Sequence, residues 1–166
     1  MSETRGRDAM TESKGGAVMS SLAGNVAVFV LVTVALNGVI FGLGWDRSGA
    51  AAAMPGIPPG WVVGSLWVLL FAGMGVARWA LLKADAPRWV AELPSVLGFL
   101  CLLYPLYTAG LRDDRIGLIG NVVTAAVAVP IAALAWRRSR VAGGWITAVV
   151  VWLLYAAAAT GYGLSR

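Results

Sequence analysis

Histidine is absent from this 166-residue chain and cysteine occurs once. Without His, the side chain that ordinarily titrates near neutral pH is missing. No His-based triad and no His-ligated metal or haem iron can form. Cys101, alone, makes neither an internal disulfide nor a thiolate cage. Charge is also scarce. Asp, Glu, Lys and Arg together make up 13% of the residues, against about 25% in an ordinary soluble domain. Apolar residues reach 59% and the mean hydropathy is +0.78. A soluble domain of this size keeps too large a surface to hide so much apolar side chain. A soluble enzyme, a disordered chain and a disulfide scaffold are therefore excluded, and a small polytopic membrane protein remains. The net charge of +5 does not point to nucleic acid. Its cations are spread among short segments between apolar runs, as in a membrane protein, and form no basic groove.

What the chain does have is long apolar runs. A membrane helix needs about 20 apolar residues, because a rise of 1.5 Å per residue must cover a hydrocarbon core of roughly 30 Å. Five segments qualify: residues 21–44, 59–82, 90–110, 116–136 and 144–164. They are continuous and twice the length of barrel strands, so a β-barrel does not fit. Short connections force antiparallel neighbours. The expected fold is an all-α membrane protein, a five-transmembrane-helix up-down bundle, with residues 20–166 as one domain. Residues 1–19 are polar and of mixed charge and read as a disordered cytoplasmic tail. They do not read as a signal peptide, since the apolar run that follows is too long. The one long connection joins the first two segments, and long loops are often functional.

Orientation follows the Lys/Arg asymmetry. Arg5, Arg7, Lys14, Lys83, Arg88, Arg137, Arg138 and Arg140 fall on one side; Arg47, Arg112, Arg115 and Arg166 fall on the other. The N-terminus is expected in the cytoplasm and the C-terminus outside, in the cell membrane. Arg78 and Glu92, the charges within the spans, lie near segment ends and read as snorkelling side chains. Trp45, Trp89, Trp136 and Trp145 fall at segment ends and read as interfacial anchors. Trp67 and Trp152 lie near mid-membrane, where an indole N–H wants a partner. Position alone leaves ordinary packing and pocket lining both open for them. Gly38/Gly42 and Gly60/Gly64 have the four-residue spacing that permits close helix contact.

The second segment reads PPGWVVGSLWVLLFAGMGVARW, residues 58–79. It resembles the signature of the TspO/MBR family, the translocator or tryptophan-rich sensory proteins. Pro58, Pro59, Trp61, Val62, Gly64, Trp67, Met74 and Gly75 match it in fixed register, with Phe71 at the usual Tyr. In the third segment, CLLYPLYTAG places Cys101 at the family's Asn and Tyr104 at its Trp, and keeps Pro105 and Gly110. Thr108 and Ala109 replace two Phe. In the fifth, Trp152, Tyr155 and Ala156 match, while Thr160 stands at an Asn. Where the fourth segment often has an early acid, this chain has Gly120 and Asn121.

The resemblance implies a five-helix bundle with a pocket opening toward the long loop. It implies a ligand that is a porphyrin or another hydrophobic molecule, no required cofactor, and a homodimer. Some eukaryotic members bind sterol. The sterol-type pattern here, Leu103, Tyr107 and Arg112, is weak. Trp67 and Trp152 correspond to family residues that face the pocket. By this resemblance the ligand-binding set is Trp45, Pro58, Pro59, Trp61, Trp67, Phe71, Tyr104, Trp152 and Tyr155. Bacterial members are linked to tetrapyrrole sensing or transport and to light-dependent porphyrin breakdown. With several pocket positions changed, a structural or interaction subunit with a vestigial pocket is the alternative. No acid/base constellation suggests ordinary catalysis.

Overall fold

The computed structural model describes residues 21–44, 58–108 and 113–166, with the side chains of 106–108 outside the description. Five helices follow in order: α1 (Leu22–Gly42), α2 (Gly60–Lys83), α3 (Arg88–Thr108), α4 (Asp114–Trp136) and α5 (Arg140–Leu164). Their bounds track the apolar runs to within a few residues. Each start has a local cause. The Ser21 hydroxyl accepts from the Gly24 amide at 3.0 Å and caps α1. Asp113 caps α4 through the Arg115 amide, and Ser139 caps α5 through the Ala142 amide. Such side-chain acceptors satisfy amides that the helix itself leaves bare. Pro59 stands at the α2 cap, where its missing N–H costs nothing. Pro94, Pro105 and Pro130 sit inside helices that continue past them.

The chain is an all-α, multi-pass integral membrane bundle. Four of its helices, α1, α2, α4 and α5, are long and apolar enough to cross a bilayer by length and composition. α3 does not reach that mark among the described residues. It carries Arg88, Glu92 and two prolines, and it is held in the bundle by its neighbours. α2 is the central element and packs on α1, α3 and α5; α4 packs on α5 and α3. α1 leans on α2 and touches α3 only lightly.

Small residues let the helices approach. A Cβ on Gly75 would stand 2.8 Å from the Asn25 carbonyl oxygen and 2.9 Å from Val26 Cα, so α1 and α2 meet there backbone to backbone. A Cβ on Gly73 would stand 2.1 Å from the indole of Trp145. Trp145 is thus half-buried against α2, a helix contact that its position near a segment end did not suggest. Gly38 and Gly42 meet nothing among the described residues, so that spacing makes no close helix contact there. The core is built from Met74, Leu81, Leu97, Ile146, Val149 and Leu153, all essentially inaccessible.

Candidate functional site

Trp67 and Phe71 stand one turn apart on α2, and Trp152 and Tyr155 nearly one turn apart on α5, so each pair shares a helix face. The packing of α2 on α5 joins the two faces. Trp67 and Phe71 have ring centroids 5.9 Å apart at 61°. Trp67 and Trp152 meet edge to face, 6.4 Å apart at 90°. Trp152 and Tyr155 are 5.3 Å apart at 31°. Phe29 of α1 extends the chain of rings, 6.3 Å from Phe71. These are the separations and tilts that ring quadrupoles favour.

The polar groups nearby are few. Trp152 Nε1 is buried and has no hydrogen-bond partner among the described residues. Between α3 and α4, Asn121 Nδ2 donates to the Tyr104 hydroxyl at 3.0 Å, while Asn121 Oδ1 is buried and has no partner among the described residues. Asn121 is 1% exposed. A buried donor or acceptor without a partner costs about 1–3 kcal/mol, so two within one small bundle call for an explanation. Among the described residues, no group of His, Cys, Asp and Glu could hold a metal ion.

The expected site residues divide into three groups. Trp67, Phe71, Trp152 and Tyr155 come together in one aromatic cluster. Tyr104 belongs to the α3–α4 pair with Asn121. Pro58 and Pro59 precede α2, and Trp61, in its first turn, is 70% exposed and joins none of the described ring contacts. Trp45 lies outside the described residues.

Reasoning from sequence did not place Phe29 or Asn121 beside the site. Nor did it pair Arg78 with Glu92. Arg78 donates to Glu92 twice, from Nε to Oε2 at 3.0 Å and from Nη2 to Oε1 at 2.5 Å. Its Nη1 donates to Asn25 Oδ1 at 2.5 Å, and Ser95 Oγ donates to Glu92 Oε2 at 3.1 Å. Three helices are clasped at one level. A signal for this was present: Arg78 and Glu92 flank a short turn at similar distances, which sets them at one depth in an antiparallel pair.

No curated protein and no solved structure matches this chain. The sequence profile of the TspO/MBR family matches residues 26–163, which reaches into all five helices and takes in the whole aromatic cluster. With five helices, the proline-started α2 and its paired tryptophans already in view, that match settles the family: the chain belongs to the TspO/MBR family.

Proposed function

We propose that the protein is an intramembrane receptor or carrier for a hydrophobic small molecule, a porphyrin or related tetrapyrrole. The ligand lies against Trp67, Phe71, Trp152 and Tyr155, with Tyr104 at the α3 side. Trp45, Pro58, Pro59 and Trp61 form the mouth. The observation that carries the reading is the indole N–H of Trp152, buried within the ring cluster and without a partner among the described residues. A donor so placed suits an acceptor on a bound molecule, a pyrrole nitrogen or a carboxylate oxygen. A flat, polarisable macrocycle suits the ring faces around it. Mostly apolar walls with a few polar groups are the usual make-up of a small-molecule site. Binding is proposed, and not turnover, because the side chains gathered there offer rings and neutral hydrogen-bonding groups. In this reading the N-terminus is cytoplasmic, the C-terminus is outside the cell membrane, and the working unit is a homodimer.

A structural or interaction subunit is the competing reading. The edge-to-face contact of Trp67 with Trp152 favours it, since those rings occupy the space between α2 and α5 themselves.

Quenching of tryptophan fluorescence by protoporphyrin IX tests the choice. Purified protein in detergent is titrated in the dark, beside Trp67→Phe, Trp152→Phe and an unrelated membrane protein. Saturable quenching that weakens in both variants supports the tetrapyrrole site. Quenching no stronger than that of the unrelated protein rejects it and favours the interaction subunit.

A further inference from the structure

An apolar recess lies at the edge of the ring cluster, on the lipid-facing side between α1 and α3. It is a groove of about 160 Å³, walled by Val28 and Val32 of α1 and by Phe99 and Leu102 of α3. Phe29 and Phe71 of the ring cluster and Gly98 line it as well. A Cβ on Gly98 would come within 3.0 Å of the Phe29 ring, so a glycine there keeps the recess open. Val28, Val32 and Phe99 remain 44%, 43% and 61% exposed, which in a bilayer is contact with lipid.

The groove has a polar end. Ser95 lines it and also donates to Glu92, which pairs with Arg78. That pairing cancels the Glu92 charge. One turn before Glu92 stands Arg88, exposed, beside Trp89, which is 62% exposed. Lys83, Arg137, Arg138 and Arg140 share this end of the bundle, against Asp85. The opposite end has Arg115 and Arg166 balanced by Asp113 and Asp114 among the described residues. From Arg88 to Leu102 is about 21 Å at 1.5 Å per residue. One leaflet of hydrocarbon, about 15 Å, spans most of that distance.

We propose that this groove binds one anionic phospholipid of the surrounding bilayer, with an acyl chain between α1 and α3 and the headgroup at Arg88. An unbranched chain fits a narrow, apolar, laterally open recess. A negative headgroup complements the cationic end, where Glu92 is already held by Arg78 and the exposed Arg88 adds attraction. The groove shares Phe71 with the ring cluster but opens on its other side, so its lipid does not require a tetrapyrrole to be bound.

Native mass spectrometry of the full-length protein in mild detergent provides the test. Phosphatidylglycerol and phosphatidylcholine with identical acyl chains are the probes. The wild type is expected to retain one phosphatidylglycerol in preference to phosphatidylcholine. Arg88→Gln is expected to cut that preference about fivefold, the effect of one basic residue near an anionic headgroup. Val32→Trp, which fills the groove from an exposed wall, is expected to lose the bound lipid while keeping its thermal midpoint. Should that variant unfold early, Val28→Trp fills the same wall. Equal retention of both lipids by the wild type, or full retention in a folded groove-filling variant, overturns the proposal.

Discussion

Arg78 grips Glu92 through two hydrogen bonds, and the same guanidinium holds Asn25 of α1. The Arg78 side chain is 13% exposed and that of Glu92 47%. Removing the cation takes the guanidinium bonds from both partners, so Arg78→Ala is expected to cost about 2 kcal/mol. That is less than the roughly 3–5 kcal/mol of a fully buried pair, because Glu92 keeps half its surface. Glu92→Gln, which retains acceptor and donor, should cost less. Thermal unfolding in detergent ranks the two, and equal midpoints for wild type and Arg78→Ala would remove the clasp from the account.

Gly75 and Gly73 should respond differently to Ala. At Gly75 the obstruction is backbone of α1, which cannot swing away, and a loss of about 1–3 kcal/mol is expected. At Gly73 it is the Trp145 ring, so part of the loss should return in a Trp145→Leu background. Gly38→Ala meets nothing and should leave the midpoint unchanged or slightly raised. A Gly38→Ala protein as damaged as Gly75→Ala would contradict the helix contacts described.

Tyr104→Phe removes the acceptor for Asn121 Nδ2 in a buried position. The expected loss is about 1–2 kcal/mol. Asn121→Leu removes the polar group altogether. The double variant should then lose less than the two single losses combined, as for residues that share one bond. Strict additivity in a double-mutant cycle would show that the pair is not coupled.

Trp152→Phe sheds ring volume together with an unpartnered N–H, and these act in opposite directions on stability. The midpoint should move by the equivalent of about 1 kcal/mol or less, while porphyrin quenching weakens. Leu153→Ala, next to it and 1% exposed, should instead cost about 2–5 kcal/mol. A Trp152→Phe protein as unstable as Leu153→Ala would make that indole a packing residue first.

The spans were legible because the physics that makes them is local. Hydropathy over about 20 residues decides whether a segment can leave water. Pro59 before α2 was legible for the same reason. Contacts between helices were less so, because they depend on how each helix is rotated about its axis. Trp145 shows this. It stands near a segment end, where an anchor is expected, yet α5 turns it onto Gly73. Trp67 and Trp152 were singled out by depth and by family pattern, while Phe29 carried no such mark and joins them only through the α1–α2 contact. Asn121 looked like a position where an acid had been lost; its bond to Tyr104 needed the α3–α4 packing.

The Arg78–Glu92 clasp also bears on how the chain enters its membrane. α3 alone is a poor candidate for insertion, with Glu92 and two prolines along its length. An unpaired acid or base costs about 2.5–3.5 kcal/mol at the centre of a span and less toward its end, where these two lie. The two charges, however, lie on either side of one short turn. If α2 waits for α3 to leave the ribosome, the pair can cross together as a neutral hairpin. The unit of insertion is then two helices long, and a substitution at Arg78 would show itself in the yield of correctly threaded protein before it showed in anything the protein binds.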